Sequence, residues 1–317
     1  LYNTSGKLLQ AFHDPNPGAV GDGFGYSVAL SGSYVLVAAD QTDVFAGAVY
    51  LYNTSGHLLH VFQDPVHTIG HDQFGSAIAL SGTNVLIGAN GQDGHAGAAY
   101  LFNTSGKLLQ TFHDPAEKSW DAFGSSLAIS NTNVLIGAIG VNGAGAAYLF
   151  APAGTLLQTF ADPNAQANDD FGDAVAISGH TVLVAAEGVN NWQGAVYLFD
   201  ASGTLLHTLS GPSQTGSNDQ FGISVALSAG NVLVGAAGRN NFSGAAYLYN
   251  ASGQLLTVFQ DPGESAGDHF GNGVALSGKY VLVGAGYPSL FRALTHTAKN
   301  VGGAAYLYKL GANYRST

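Results

Sequence analysis

A unit of about fifty residues recurs six times in this chain, and a repeat of that length is one supersecondary element that must bury its apolar face against its neighbours. Each copy runs D-x-F-G, an apolar segment, V-L-V/I-G/A-A, G-A-A/V-Y-L-F/Y, and L-L-x-x-F/L. The phenylalanine of F-G stands at Phe24, Phe74, Phe123, Phe171, Phe221 and Phe270, with spacings of 50, 49, 48, 50 and 49 residues. Repetition this regular over 317 residues argues for one domain over 1–317, not two unrelated ones.

Within one copy the pattern is that of short strands. Phe74–Leu80 reads as a first strand, Ser81–Asn84 as a tight turn and Val85–Ala89 as a buried apolar strand. After a polar loop, Asn90–Ala96, the third strand is Gly97–Phe102. Asn103–Gly106 (N-T-S-G) is a hairpin turn whose glycine supplies a positive φ, and Lys107–Phe112 is the fourth strand. Asp114-Pro115 ends it, because proline donates no ladder hydrogen bond. Four antiparallel strands in fewer than fifty residues, repeated, describe a β-propeller blade, and no long segment carries the 3.6-residue period of helix.

Six copies predict six blades. The chain opens on L-Y-N-T-S-G-K-L-L-Q-A-F, a fourth-strand sequence, and the last copy lacks one, so the N-terminal outer strand is expected to close the ring on the last blade. The alternative is seven blades, with a further copy before Leu1. No methionine occurs, which is expected of a processed or partial chain.

Composition narrows the function classes. Only 9% of residues are charged, against about 25% in an average chain, so tight turns and the 45 glycines must do what long polar side chains do elsewhere. A net charge of −11 argues against nucleic acid or an anionic membrane surface as partner. The absence of cysteine rules out disulfides, cysteine-bound zinc and thiol catalysis. No apolar run approaches the roughly 20 residues of a membrane span, so no membrane insertion is expected.

The F-G and G-A pairs flanking a strand, followed by G-A-x-Y-L, resemble FG-GAP repeats, the repeats of integrin α-subunit propellers. The resemblance covers Leu1 to Tyr308. It implies an extracellular, periplasmic or cell-surface binding and assembly module, without enzymatic activity, that acts in protein–protein interaction or adhesion. Two departures matter. The turn between first and second strands, where many family members carry a D-x-D-x-D-G calcium loop, reads S-G-S-Y, S-G-T-N, S-N-T-N, S-G-H-T, S-A-G-N and S-G-K-Y here, so calcium binding is not expected there. The proline of G-A-P is also missing after all six alanines, Ala39 to Ala285.

Several groups stand out as candidates. Asp22, Asp72, Asp121, Asp169, Asp219 and Asp268 of D-x-F-G are identical in all copies, which points to capping of backbone N–H groups at blade handovers; a ring of cation ligands is the functional alternative. The Asp-Pro pairs beginning at 14, 64, 114, 162 and 261 read as turn chemistry, with Gly211 in place of aspartate in the fifth copy. No carboxylate pair is seen to stand apart from the repeated ones, and no nucleophile–base–acid set breaks the repeat, so no cofactor and no catalysis are expected. His67 and His71 form a weak candidate metal pair.

Two features vary between copies. The loops between second and third strands and those between blades carry Phe45, Trp192, Phe242 and Trp120, aromatic rings among amides as in a carbohydrate site, which makes a lectin-like propeller the alternative function. The last copy also inserts seventeen residues, 286–302, between G-A and G-A-A-Y. Ser289 can cap a short helix there, and Tyr287, Leu290, Phe291, Arg292, His296 and Lys299 make it a candidate partner-binding loop. Asn-x-Ser/Thr sequons at Asn3, Asn53 and Asn103 coincide with the hairpin turn; two more stand at Asn241 and Asn250.

Overall fold

The computed structural model describes residues 1–16, 22–41, 46–66, 71–116, 118–212, 218–263, 266–286 and 303–311. Two compact units divide the chain, Leu1–Pro163 and Asn164–Thr317, and each carries three blades. In the first unit, blade 1 is β1 (Val28–Ser31), β2 (Tyr34–Ala39), β3 (Ala48–Asn53) and β4 (Leu58–Gln63). Blade 2 is β5 (Phe74–Ser81), β6 (Asn84–Ala89), β7 (Ala98–Asn103) and β8 (Leu108–His113). Blade 3 is β9 (Phe123–Ile129), β10 (Val134–Ala138), β11 (Ala146–Phe150) and β12 (Leu156–Phe160).

In the second unit, blade 4 is β13 (Phe171–Ser178), β14 (Thr181–Ala186), β15 (Ala195–Asp200) and β16 (Leu205–Leu209). Blade 5 is β17 (Phe221–Ser228), β18 (Asn231–Ala236), β19 (Ala245–Tyr249) and β20 (Leu255–Gln260), and blade 6 is β21 (Gly273–Ser277), β22 (Tyr280–Ala285) and β23 (Ala304–Lys309). Every sheet is an antiparallel meander in sequence order. The architecture is a six-bladed β-propeller, with strands within a residue or two of those read from the repeat.

The middle strands read as continuous apolar runs because both their faces are covered. In β6, Val85 and Ile87 pack among Leu36, Val49, Leu51 and Phe62 of blade 1, while Leu86, between them, packs with Phe123, Val134 and Ile136 of blade 3. The two-residue period of a strand thus sends alternate side chains into the two neighbouring blades. The recurring phenylalanine is fully buried in five of the six copies, Phe24 being half-buried. Phe123 is fully buried with its ring centroid 5.8 Å from Tyr148 and 6.1 Å from Phe150, and Phe74 and Phe221 make the same contacts in their blades.

The turns follow the sequence closely. Gly106 has φ +85°, and Asn103 Oδ1 accepts the backbone N–H of Ser105 and Lys107 at 3.1 and 2.9 Å. Asn3, Asn53 and Asn250 do the same, and Asp200 replaces the amide in blade 4 with equal contacts. Because aspartate serves as well, the position selects for an acceptor oxygen, and the sequons at Asn3, Asn53, Asn103 and Asn250 follow from turn chemistry.

One expectation fails in its details. Blade 6 has three strands among the described residues, and Leu1–Phe12 is not the regular fourth strand expected to close the ring. The segment folds back on itself instead: Tyr2 bridges Leu8, and the Leu1 ammonium donates to the Gln10 carbonyl at 2.7 Å. It lies beside blade 1, where the rings of Phe12 and Tyr52 are 5.3 Å apart. Its own hairpin satisfies the backbone groups that a sheet edge would otherwise take.

Candidate binding loops

The loops between second and third strands meet the loops that enter the following blade. At the handover from blade 2 to blade 3, residues Gln92–His95 make a single helical turn where a plain loop was expected, with Asp93, Gly94 and His95 at positive φ. The His95 carbonyl accepts the Ala122 N–H at 2.8 Å, and the Ala96 carbonyl accepts Phe123 N–H at 3.0 Å. These bonds stack the His95 ring on the Trp120 indole, with centroids 4.6 Å apart and planes 16° from parallel. Trp120 is nevertheless 71% exposed.

The second unit repeats the arrangement twice. Asn190, Asn191 and Trp192 have positive φ, and the Trp192 carbonyl accepts Gln220 N–H at 2.8 Å. At the next handover the Phe242 carbonyl accepts the N–H of His269 at 2.8 Å, and the Phe242 and His269 rings lie 5.0 Å apart. Three of the four candidate aromatics, Trp120, Trp192 and Phe242, therefore occupy equivalent paired loops. The fourth, Phe45, lies outside the described residues, as do Tyr287, Leu290, Phe291, Arg292, His296 and Lys299 of the inserted loop. His269 was not singled out by the sequence, although its place in D-x-F-G, occupied elsewhere by Gly23, Gln73, Ala122, Asp170 and Gln220, carried the signal.

Beneath these loops lie the repeated aspartates. Asp114 Oδ1 accepts Ala116 N–H at 3.0 Å, and Asp64, Asp14 and Asp261 hold equivalent turns, as Asp-Pro chemistry predicts. Backbone capping by the D-x-F-G aspartate is seen at Asp22, which accepts Phe24 N–H, and at Asp169, which accepts Gln166 N–H. The two sets influence one another: the Asp14 carboxyl is raised first by burial, with Asp22 adding to the rise and the Asn16 N–H opposing it. Asp121 is pushed up to about 6, first by burial and then by Asp114, with Lys118 pulling the other way. The tyrosine of G-A-x-Y joins the pair, as where Tyr306 Oη donates to Asp261 Oδ1 at 3.1 Å.

One carboxylate group does stand apart from the repeat, contrary to the sequence reading. The Asp169 carbonyl accepts Gly188 N–H and the Asp170 carbonyl accepts Asp173 N–H, which gathers Asp170, Asp173 and Glu187 in blade 4. Burial foremost, and then their mutual repulsion, raises Asp173 to about 7 and Glu187 to about 8. The signal was present in the sequence, since other copies place Tyr, Ser, Ile or Asn where Asp173 stands. No Lys or Arg occurs from 119 to 238 to neutralise them.

Among the described residues no three His, Asp, Glu or Cys side chains converge as metal ligands, and His67 of the weak His67/His71 pair lies outside them. The turns that hold calcium in many propellers of this type are here two-residue hairpins, as at Ser81 paired with Asn84. No helix among the described residues is long and apolar enough to cross a membrane.

The sequence profile of the FG-GAP repeat matches residues 15–52, 68–102, 114–150, 155–199, 211–249 and 261–308. The chain belongs to the FG-GAP repeat family. Comparison with curated proteins finds no match. The FG and GA glycines of this family turn out to be two sides of one junction. A Cβ on Gly88, of the second-strand G-A, would strike the Gly124 carbonyl of the next blade's F-G, and Gly235 meets Gly271 in the same way. At these two junctions the backbones of neighbouring blades touch, whereas Ala38 and Ala185 take the place of the second-strand glycine in the first and fourth copies.

Proposed function

We propose that this FG-GAP propeller is a non-enzymatic binding module that works outside the cytoplasm and holds a protein partner on the loop ends of its blades. The observation that carries the reading is the exposure of aromatic rings on backbone-tied loops: Trp120 at 71% and Trp192 at 41%. Tryptophan is costly to leave in water and is over-represented where partners bury it. The loops vary in sequence while the scaffold beneath them repeats, the usual division between support and recognition. The inserted segment 286–302 is the second part of the reading, since it carries Arg292 and Lys299 in a chain of only nine Lys and Arg. A pull-down from the native source with intact protein, set beside protein lacking residues 287–301, is expected to recover a partner with the intact form alone. Equal recovery by both forms removes the insertion as a docking element.

A glycan ligand is the second reading, favoured by the Trp120–His95 stack. An indole braced on one side and open to solvent suits the C–H face of a sugar. Folded protein that leaves a glycan array blank sinks this reading and leaves the protein partner standing.

A further inference from the structure

We propose that the junction between blades 4 and 5 holds a binding site for one carboxylate group, built from Arg239 and Tyr247 at the handover whose own aspartate is missing. The Asp-Pro pair stands at positions 14, 64, 114, 162 and 261, whereas in the fifth copy Gly211 precedes Pro212. Asp64, Asp114, Asp162 and Asp261 are buried. The place of the carboxylate is marked in blade 6, where Tyr306 of G-A-x-Y donates its Oη to Asp261 Oδ1 at 3.1 Å. The equivalent tyrosine in blade 5 is Tyr247, which is 1% exposed, and the residue facing it from the Asp-Pro position is glycine.

The backbone keeps that position in place. The Ser210 carbonyl accepts Tyr249 Oη at 3.1 Å, just as the His13 carbonyl, beside Asp14, accepts Tyr52 Oη at 3.1 Å in blade 1. A Cβ on Gly211 would meet nothing closer than Phe221 Cδ2 at 3.6 Å, and the Phe221 and Tyr247 ring centroids are 5.5 Å apart. The geometry therefore admits a carboxyl group beside the Tyr247 phenol.

A cation enters at the same junction. Arg239 opens the helical turn Arg239–Phe242, at the position that Gln92, Val141 and Val189 take in copies two to four. In blade 2 this residue reaches the tyrosine, since Tyr100 Oη donates to Gln92 Oε1 at 2.5 Å. Arg239 likewise reaches Tyr247, with its guanidinium carbon 5.4 Å from the ring centre. It is the only Lys or Arg from 119 to 278. Its Nε is buried and has no hydrogen-bond partner among the described residues. Asp219 senses the charge: burial raises its carboxyl, and Arg239 opposes the rise. A buried N–H without an acceptor is costly, and a guanidinium is best satisfied by a carboxylate, which takes two parallel N–H bonds and carries the opposite charge. Arg239 is half-buried and Asn240 and Asn241 are exposed, so the site opens onto the loop that presents Phe242. The carboxylate can come from an acidic side chain of a protein or from a free small acid; only the first source rests on the protein-partner reading above.

Acetate is the probe. The chain has three arginines, Arg239, Arg292 and Arg315, so protein labelled with nitrogen-15 arginine gives three Nε–H NMR signals, and Arg239→Gln assigns the one at 239. Sodium acetate is expected to shift the Arg239 signal to saturation, and sodium chloride at equal ionic strength is not. Gly211→Asp restores the Asp-Pro pair. It is expected to abolish the acetate response and to raise Tm, because the new carboxylate fills the site from within. An Arg239 signal that ignores acetate, or moves equally in chloride, overturns the proposal. So does a folded Gly211→Asp variant that keeps the full acetate response. If Gly211→Asp fails to fold, the wild-type titration decides alone. No partner enters these measurements, so their failure removes the site and leaves recognition by the aromatic loops untouched. Capture with Arg239→Gln then assigns the source. At least about tenfold weaker retention of a partner held by wild type identifies an acidic side chain, and unchanged retention identifies a free carboxylate.

Discussion

Gly97→Ala is expected to cost on the order of 3–5 kcal/mol, enough to unfold a marginal protein. Two penalties coincide there. Gly97 has φ +85°, a conformation that costs an L-residue about 1–2 kcal/mol. Its Cβ would also fall onto the Phe123 carbonyl and lie 2.6 Å from the Phe123 nitrogen, so the backbone of the next blade would have to retreat. That retreat breaks the parallel bridge between Gly97 and Phe123 and the N–H to carbonyl bonds beside it. Gly82→Ala separates the two causes, because Gly82 has φ +58° but nothing within 4 Å of the position its new methyl would take. Chemical denaturation should show Gly82→Ala losing only the conformational part, about 1–2 kcal/mol. Equal losses at both sites would mean that close approach of the blades does not limit the junction.

Phe123→Ala is the second large effect, expected at about 3–5 kcal/mol. The ring is fully buried between Tyr148 and Phe150 on its own blade and Leu86, Leu101 and Phe112 of blade 2. Removing it leaves a cavity at a junction whose backbones already touch, so little collapse is available to offset the loss. Because Gly97 packs on the backbone of this same residue, Gly97→Ala and Phe123→Ala should combine to less than their sum in denaturant melts. Full additivity would show that the two blades are not coupled there.

Both predictions rest on features legible in the sequence. Four strands per copy could be read because the middle strands are apolar throughout and the turns are marked by N-T-S-G and S-G pairs. Even the direction of each side chain follows from the period: Val85 and Ile87 face one blade, Leu86 the other. What escaped the sequence is what depends on distance in the chain. Asp114 reads as local turn chemistry, and its Oδ1 does accept the Ala116 N–H. The rise of Asp121, first by burial and then by Asp114, depends on the end of one blade and the start of the next lying side by side.

Asp173 and Glu187 were overlooked for a related reason. Asp173 lies on β13 and Glu187 in the turn just beyond β14, so nothing in the chain order shows that they share a buried site. The N-terminal segment was read as a sheet strand from its L-L-x-x-F pattern. A segment that can bond its own hairpin and pack Phe12 on Tyr52 has no need of a strand partner to satisfy that pattern. Within each unit the aromatic loops meet the loop that enters the next blade, as at His95 with Trp120 and Phe242 with His269. Their left-handed turns were not foreseen, since Trp192 and Phe242 are unusual residues at positive φ.

Recognition through those loops is the central claim. The most direct measurement is capture of binding partners from the native source by wild type and by a Trp120→Ala, Trp192→Ala double variant, each first shown to melt at the same temperature. Both residues are exposed, so truncation should leave stability within about 0.5 kcal/mol. A partner retained by wild type is predicted to be held at least about tenfold more weakly by the variant. Retention of the same partner with unchanged affinity would contradict the claim and move the binding surface away from the loop ends.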